Sequence, residues 1–389
     1  VNGQDLARYS QIGVVTPDHT IRTKNWPLVL PCPEAGKLDV FRRDAASAFE
    51  RFAARYHDYF ERHNARQAQP KIELDRLPRV LLVPGLGLFG LGAGKSAAAI
   101  AADIAESTIQ TVTDAEAIGR YECVGEADMF DMEYWSLEQA KLGKGKEPRL
   151  ARHVVVVTGG ASGIGRATAQ AFKREGAEVA ILDLDGEGLA SAAKALKCLA
   201  VPCDVTKAES VADAFRRVAE TFGGVDIVVS NAGRAWHGRI GDVDEAVLRE
   251  SFELNFYGHQ RVAQAAVAVM RRQGFGGVLL FNVSKQAVNP GLDFGPYGLP
   301  KAAALALMRQ YALDHGGDGI RANAVNADRI RSGLLTGQMI AERAKARGVT
   351  EADYMGGNLL RQEVTAEDVA QAFVALALAE KTTGAILTV

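Results

Sequence analysis

The second half of the chain alternates short apolar runs with longer stretches in which apolar residues recur every three or four positions. The runs fall at residues 154–157, 179–182 and 225–229, with a shorter one near Leu199. Runs of this length predict strands buried on both faces, and the stretches between them predict helices. The alternation therefore predicts βαβ crossovers and an α/β fold with a Rossmann-type, doubly wound parallel sheet.

The first half shows a different pattern. Residues 44–64 carry aromatic and other apolar side chains at steps of three and four, which predicts one amphipathic helix. An apolar strand is predicted at residues 79–83, a glycine-rich turn at 84–94 and an alanine-rich helix at 96–106. We therefore expect a smaller N-terminal α/β region.

A change in composition separates the two patterns. Residues 143–152 contain four basic residues, two glycines and one proline, which is typical of a linker. We expect one domain at residues 1–150 and another at 151–389, since the length exceeds that of a usual single core. Because the sequence starts at Val1 and stops within an apolar segment, we interpret both ends as incomplete.

Charge and cysteine content narrow the function classes. The 45 basic and 47 acidic residues give a net charge of −2, without the basic excess that favours nucleic-acid binding. No apolar stretch of the sequence reaches the roughly 20 residues of a membrane span, and no signal pattern opens it. The four cysteines are scattered and fit neither a disulfide scaffold nor a zinc site. We expect a cytoplasmic protein that binds neither nucleic acid nor membranes.

A glycine-rich motif follows the first strand of the second half. Thr158 begins the segment Thr-Gly-Gly-Ala-Ser-Gly-Ile-Gly, which leads directly into a predicted helix. Gly159 permits a tight turn, Gly163 lets backbone amides approach a pyrophosphate, and Gly165 lets helix and strand pack closely. Asp183 ends the next strand, where a carboxylate binds both adenosine ribose hydroxyls and repels a 2′-phosphate. The cofactor that this spacing predicts is NAD rather than NADP.

Two other glycine patterns are weaker. The Gly-x-Gly-x-x-Gly at residues 85–90 has no acidic residue at the end of a following strand, as dinucleotide binding requires. The Gly-Lys-Ser at residues 94–96 lacks the first glycine of a phosphate loop, because Phe89 holds that position. Neither pattern predicts a nucleotide site.

The order and spacing of the motifs after residue 153 resemble those of short-chain dehydrogenases. Asp204-Val205 matches the family pair that contacts adenine, and Asn231-Ala232-Gly233 matches the turn after the fourth strand. The resemblance covers residues 153–389 and implies an NAD-dependent dehydrogenase. The cofactor-binding residues that it implies are Gly159, Ser162, Gly163, Ile164, Gly165, Asp183, Asp204, Val205, Asn231, Ala232 and Gly233, together with Tyr297 and Lys301.

The same resemblance implies the catalytic residues. Among nine tyrosines, only Tyr297 is followed four residues later by a lysine, Lys301, a spacing that puts both on one helical face. A phenol with a pKa of about 10 is a poor base at neutral pH unless a nearby ammonium stabilises its phenolate. By resemblance, Lys301 also holds the nicotinamide ribose, Ser284 binds the substrate oxygen, and Asn255 holds a water in the proton relay.

Two segments depart from the family pattern. In Asn-Val-Ser-Lys at residues 282–285, a lysine replaces the second serine, so either a shorter loop brings Ser284 into the catalytic role or Lys285 occupies that position. The Pro-Gly that usually lies against the nicotinamide is replaced by a pair ending in Asp328, which Arg329 follows. These charges indicate either a polar, even anionic, substrate or a salt bridge remote from the site.

Strings in both halves resemble one subgroup of the family. They are TPDHTIRTK from Thr16, RVLLVPGLGLFGLG from Arg79, EYWSLEQAKL from Glu133 and NADRIRSGL from Asn326. The subgroup joins a class II aldolase domain to a short-chain dehydrogenase and is of the rhamnulose-1-phosphate aldolase/lactaldehyde dehydrogenase type. The resemblance implies a small-molecule substrate, either a 2-hydroxyaldehyde such as lactaldehyde or a related sugar, and a homo-oligomer, either a tetramer or a dimer.

The aldolase half lacks the ligands that its chemistry needs. Class II aldolases use a divalent metal held by several histidines, including a His-x-His pair that this sequence does not contain. Val-Pro-Gly at residues 83–85 stands where the family has Asn-His-Gly, and His19 is the one remaining candidate, so we predict no metal site. Three hypotheses stay open: an NAD-dependent oxidoreductase, a metal-dependent aldolase fragment fused to a dehydrogenase, and a non-catalytic NAD-binding module.

Overall fold

A computed structural model describes residues 1–142, 147–184, 186–333 and 335–389. The chain divides into two compact units, Val1–Lys146 and Glu147–Val389. The second unit thus begins at Glu147, whereas the predicted domain began at residue 151. Residues 143–146 of the predicted linker lie outside the described residues.

The first unit combines a small sheet with several helices. Its described strands are β1 (Leu28–Val29), β2 (Val80–Val83) and β3 (Gly87–Gly90). Strand β2 lies in the middle, parallel to β1 and antiparallel to β3. The described helices are α1 (Leu6–Tyr9), α2 (Pro17–Thr23), α3 (Leu38–Asn64), α4 (Lys95–Ile118), α5 (Glu126–Glu133) and α6 (Ser136–Ala140).

The predicted elements of this unit are present, but their bounds differ. Helix α3 begins before residue 44, and α4 continues past residue 106 because its apolar face extends to the buried Val112. The predicted turn at 84–94 contains β3. Its backbone pairs with β2 in a hairpin, which occupies backbone groups that a phosphate would need. The glycine pattern at 85–90 is therefore a hairpin feature.

The second unit is built on a seven-stranded parallel sheet. Its strands are β4 (Val154–Thr158), β5 (Glu178–Asp183), β6 (Leu199–Pro202), β7 (Ile227–Ser230), β8 (Gly277–Ser284), β9 (Ile320–Ala327) and β10 (Ile386–Thr388). They lie in the order β10-β9-β8-β7-β4-β5-β6. This confirms the predicted Rossmann-type, doubly wound sheet.

Helices connect these strands and cover both faces of the sheet. They are α7 (Gly163–Arg174), α8 (Glu187–Leu196), α9 (Ala208–Phe222), α10 (Glu245–Phe252), α11 (Gly258–Gln273), α12 (Gly295–His315), α13 (Gly337–Ala346), α14 (Glu351–Met355) and α15 (Ala366–Leu378). A π-helical turn, Glu253–Tyr257, joins α10 to α11, and short 3₁₀ turns follow β8 and α12.

Alternate strand residues supply two cores. Val154 and Val156 of β4 belong to a core that α9, α11 and α12 complete, whereas Val155 and Val157 belong to one completed by α7, α8 and α15. Burial on both faces explains why the strands are unbroken apolar runs. Within the described parts of the chain, no helix combines the length and apolar character needed to cross a bilayer.

The strand order reverses between β4 and β7. From β4 the chain continues to β5 on one side, while β7 lies on its other side. In open α/β sheets, ligands bind beyond the carboxyl ends of the strands at such a switch point. The fold therefore predicts a ligand site among the residues that follow β4, β7, β8 and β9.

Candidate active site

A cavity of about 870 Å³ opens at this end of the sheet. Most of the predicted site residues line it: Gly159, Ser162, Gly163, Ile164, Asp183, Asp204, Val205, Asn231, Ala232, Gly233, Ser284, Tyr297 and Lys301. Gly165 and Asn255 are not part of its wall. Both lie behind the wall and contact residues that form it.

The glycine segment turns sharply from β4 into α7. Gly159 and Gly163 have φ angles of 65° and 50°, in the left-handed region that favours glycine. A methyl group at Gly165 would overlap the carbonyl oxygen of Gly159, so a larger residue would push the helix away from the strand. The N-terminus of α7 consequently lines the cavity, and because the first backbone amides of a helix have no partner within the helix, it suits a pyrophosphate.

Asp183 ends β5 and connects to the glycine segment. Its Oδ2 accepts a hydrogen bond from the Ala161 backbone N–H at 3.0 Å, and its Oδ1 accepts one from Leu184 at 2.8 Å. Each carboxylate oxygen retains a lone pair that can accept a further bond. The residue therefore both orders the loop and offers an acceptor to a ribose hydroxyl.

Asp204 and Val205 follow β6. The Asp204 carboxylate accepts hydrogen bonds from the backbone N–H and the hydroxyl of Thr206, and Lys207 lies 3.3 Å away. The Thr206 hydroxyl, as the main cause, lowers the pKa of Asp204. This fixed, ionised turn forms part of the cavity on the side of Asp183.

Asn231 joins three strand ends. Its Nδ2 donates to the Thr158 carbonyl oxygen at 2.9 Å, and its Oδ1 accepts from Nδ2 of Asn282 at 2.7 Å. The Thr158 hydroxyl accepts from the backbone N–H groups of Asn231 and Ala232. The Asn231 side chain therefore positions the ends of β4, β7 and β8, and its polar atoms bind protein groups.

Tyr297 and Lys301 lie one turn apart on α12, as their spacing predicts. The ammonium of Lys301 is 2% exposed, donates to the Asn282 carbonyl oxygen at 2.9 Å, and lies 5.9 Å from the centre of the Tyr297 ring. Burial lowers the pKa of Lys301 to about 7. Burial raises the pKa of Tyr297, while its hydrogen bond with the Ser284 hydroxyl lowers it. The structure thus brings Ser284, Tyr297 and Lys301 together.

Lys285 does not occupy the position beside Tyr297. It forms an ion pair with Asp328, with 2.9 Å between Nζ and Oδ2. Of the two alternatives left by the sequence, the geometry therefore favours Ser284. The same pair shows that the Asp328 charge is neutralised on the cavity wall itself, neither free nor remote from the site.

Asn255 lies in the π-helical turn and is fully buried. Its Nδ2 donates to the Arg234 carbonyl oxygen at 2.8 Å and to the Ser251 hydroxyl at 3.1 Å. If residue 233 carried a methyl group, that group would lie only 2.8 Å from Asn255 Oδ1, so the glycine allows the loop to approach the amide closely. Such turns are often found at functional sites. Here the side chain fixes the loop after β7, and its amide is engaged by protein groups.

Sequence reasoning missed His259. This residue, 2% exposed on α11, places Nε2 3.2 Å from Lys301 Nζ and Nδ1 2.6 Å from the Ser230 hydroxyl. Burial, with a smaller contribution from Lys301, lowers its pKa well below the usual value. The available signal was its position, four residues after Asn255, on the face of α11 that is otherwise formed by apolar residues and glycine.

The residues around the cavity fit a nicotinamide dinucleotide. The Lys301 ammonium has three donors, of which Asn282 and His259 use two. Asn282 also has a buried Oδ1 without a partner among the described atoms. A donor and an acceptor are thus available in the cavity that Tyr297 lines, and the backbone amides at the start of α7 can bind the phosphates.

The described part of the first unit is where the resemblance to class II aldolases would require a metal site. Among the described residues, no group of three or more His, Cys, Asp or Glu side chains could hold an ion. His19 is half-buried on α2, and burial lowers its pKa.

Two family models match the chain. One, described as "Aldolase class II, second domain", matches residues 1–142, and the other, described as "Enoyl-(Acyl carrier protein) reductase", matches residues 159–389. The oxidoreductase YuxG of Bacillus subtilis is 34% identical over the whole chain, which spans 58% of the length of that relative.

Other relatives match the second unit. An L-rhamnose 1-dehydrogenase (NAD(P)(+)) of a Sphingomonas species is 36% identical over 44% of this chain and 70% of its own length. The L-sorbose reductase of Gluconobacter frateurii, solved with NADPH and L-sorbose, has a TM-score of 0.56 at 30% identity and covers 61% of this chain and 94% of its own. With a family model over more than half of its length, the chain belongs to the short-chain dehydrogenase/reductase family of nicotinamide-dependent oxidoreductases and carries a class II aldolase domain ahead of the dehydrogenase domain.

Proposed function

We propose that this chain is an NAD-dependent oxidoreductase that transfers a hydride between NAD and a small polar hydroxylated or aldehyde compound, of the lactaldehyde or sugar kind. The observation that carries the proposal is the grouping of Ser284, Tyr297 and Lys301 in the cavity that the glycine segment also lines. L-Rhamnose and L-sorbose in the names of two relatives support a sugar-like substrate.

The protein's own residues handle the substrate oxygen and its proton. The Ser284 hydroxyl binds the oxygen, and the Tyr297 phenolate takes the hydroxyl proton as the carbonyl forms. The Lys301 ammonium stabilises that phenolate and binds the nicotinamide ribose with its remaining donor. Bound nicotinamide supplies the hydride acceptor for oxidation, or the donor for reduction.

Asp183 supports the choice of NAD. Its carboxylate lies at the end of β5, where a ribose 2′-hydroxyl can donate to it and a 2′-phosphate would be repelled. The names of the sugar-related relatives include both NAD(P)(+) and NADPH, so this preference rests on Asp183 alone.

The test is a screen for NAD reduction over lactaldehyde, glycolaldehyde and free pentoses and hexoses. With any active compound, Tyr297→Phe should lower kcat by about 10²- to 10⁴-fold, the usual contribution of a positioned acid or base. Tyr311→Phe is the matched control, because Tyr311 lies on the same helix, is buried, and does not line the cavity. An undiminished rate in the Tyr297 variant would overturn the assignment.

Metal-dependent aldol cleavage is a second candidate function, favoured by the family match over residues 1–142. Elemental analysis of the purified protein, combined with an aldol-cleavage assay, tests it. A stoichiometric divalent ion that is required for cleavage would support this activity.

We extend the main proposal to a homo-oligomer, which a solution mass measurement tests directly.

A further inference from the structure

Arginines are concentrated on one part of the cavity wall. Arg234, Arg329, Arg343 and Arg347 all line it. Within the described ranges, none of these four guanidinium groups has a carboxylate within 4 Å, whereas Arg149, Arg216 and Arg331 elsewhere on the surface each pair with one. Unpaired guanidinium groups that converge on a cavity are available to a ligand.

Two of these arginines share one helix face. Arg343 lies on α13, and Arg347 caps its end four residues later. Like charges at this spacing repel each other and destabilise a helix. Arg343 donates to Nε2 of His237 at 3.2 Å and lies 5.2 Å from the ring centre of Phe294. Because an arginine can only donate, Nε2 accepts this bond, so the imidazole is neutral and offers Arg343 no negative charge.

A third arginine meets Arg347 at an aromatic ring. The Tyr354 ring has the guanidinium carbon of Arg329 at 4.6 Å and that of Arg347 at 5.1 Å from its centre. Arg329 also donates to the Tyr354 carbonyl oxygen at 2.8 Å, which fixes its direction. Two like charges are thus held against one buried side chain. An anion in contact with both guanidinium groups would relieve their repulsion.

The carboxylates of the cavity do not neutralise this group. Asp328 is paired with Lys285, and Glu253 is paired with Arg261 at 2.6 Å. Asp183 and Asp204 accept hydrogen bonds at the ends of β5 and β6. Of the other wall residues, Glu250 on α10 is the one further carboxylate among those described. Glu250 is thus one carboxylate against four arginines of the cavity wall.

The position of the arginines points to the substrate rather than to the dinucleotide. Arg343 lies against Phe294, three residues before Tyr297 and directly ahead of α12. The phosphates of the cofactor have their own binding site at the glycine segment and the start of α7. An anion bound by the arginines would therefore belong to the molecule whose oxygen faces Tyr297.

We propose that Arg329, Arg343 and Arg347 form an anion-binding subsite, so that the substrate is a small hydroxy or oxo compound bearing a phosphate or a carboxylate away from its reacting carbon. The planar guanidinium fork matches both groups, and charge-assisted bonds to it are among the stronger polar contacts. This inference rests on the proposed oxidoreductase function and narrows its substrate class.

The experiment compares matched compounds that differ in one group. Free sugars are paired with their terminal phosphates, and hydroxy amides with the corresponding hydroxy acids, in NAD-coupled assays of the wild type, Arg343→Gln, Arg347→Gln and Arg309→Gln. Arg309, exposed on α12 and absent from the cavity wall, is the control. The sugar-phosphate pairs test whether the subsite binds a phosphate, and the hydroxy-acid pairs test whether it binds a carboxylate.

We expect the charged member of a pair to have the higher kcat/KM in the wild type. Each cavity substitution should raise KM for that member by about 10- to 100-fold, the value of one or two charge-assisted hydrogen bonds, with little change in kcat. KM for the neutral member and for NAD should not change, which also shows that the variants are folded. Arg309→Gln should behave as wild type.

Failure of the anion-binding subsite and failure of the oxidoreductase function give different results in these assays. Equal use of neutral and charged compounds, with rapid NAD reduction, overturns the subsite and leaves the oxidoreductase function intact. If no compound reduces NAD, the proposed function fails, and inorganic phosphate then tests the subsite alone. Phosphate should raise the melting temperature of the wild type and the Arg309 variant more than that of the Arg343 and Arg347 variants. An equal rise in all four proteins overturns the subsite.

Discussion

Nζ of Lys301 lies 3.2 Å from Nε2 of His259, and both side chains are only 2% exposed. An ammonium can only donate, so Nε2 carries its lone pair towards it and the ring proton resides on Nδ1. That proton is then donated to the hydroxyl of Ser230, 2.6 Å away. His259 is thus a neutral acceptor for the ammonium form of Lys301, whose Nζ lies 5.9 Å from the centre of the Tyr297 ring.

Loss of this acceptor should change the pH profile of the reaction. In His259→Leu the ammonium loses one bond, its pKa falls further, and the alkaline loss of activity should move down by about one pH unit, the equivalent of one hydrogen bond to a charged group. His259→Gln offers an oxygen acceptor and should remain close to wild type. The measurement is kcat/KM against pH for all three proteins, and coincident profiles in the Leu variant and wild type would contradict the role.

Lys301 should also make the stability of the cofactor-free protein depend on pH. Its folded pKa is lowered to about 7, below the value of about 10.5 in an unfolded chain. Between these values the unfolded state binds the extra proton, so this group's contribution to the free energy of unfolding rises with pH. Below pH 7 both states are protonated, and the cost of burying the charge is fully present.

Lys301→Met should therefore gain stability relative to wild type most at pH 6–7, and this difference should shrink as the pH approaches 10. Urea unfolding across this range measures it. The exposed Lys345→Met provides the control, for which the difference from wild type should be flat. A constant difference for Lys301→Met would show that the buried ammonium does not titrate in this window.

Asp183 should set the cofactor preference. We expect the wild type to favour NAD over NADP by about 100-fold in kcat/KM, because a carboxylate beside a 2′-phosphate costs several kcal/mol. Asp183→Asn removes the charge but keeps an oxygen that can accept from Ala161, so activity with NADP should rise while NAD is used less well. Kinetics with both cofactors test this, and equal use of both by the wild type would refute it.

A buried ion pair lies within the first unit. Nζ of Lys24 lies 3.7 Å from Oε1 of Glu133, which also accepts a hydrogen bond from the Tyr56 hydroxyl at 2.8 Å. Both charged residues are under 5% exposed, and burial lowers the pKa of Lys24 to about 8. Removing one partner leaves the other charge buried and should cost about 3–5 kcal/mol.

Lys24→Met and Glu133→Gln should thus each destabilise strongly, while the double variant should lose much less than their sum. Lys37→Met is the control, since its pair with Glu34 is exposed and should contribute about 1 kcal/mol or less. Trp26, buried in the same core, reports unfolding by fluorescence. Additive losses would show that Lys24 and Glu133 are not coupled.

Much of the second unit could be predicted because its signals are local. The β4 strand, the glycine segment and α7 are consecutive, so spacing alone indicated a phosphate-binding turn. Tyr297 and Lys301 share one helical turn, and their proximity follows from helix geometry. In the first unit, by contrast, β3 was hidden within a glycine-rich segment that predicted a turn, because glycines do not give the apolar pattern by which a strand is identified.

The amino-acid sequence by itself determined the strands and helices of the second unit, the glycine-rich turn and the Tyr-Lys pair, because each depends on residues only a few positions apart. Tertiary structure alone decided that Ser284 rather than Lys285 faces Tyr297, that His259 meets Lys301, and that arginines from separate segments share one cavity. The physical reason is that these contacts join residues far apart in the chain. Their proximity depends on how the strands and helices pack, which no local spacing encodes.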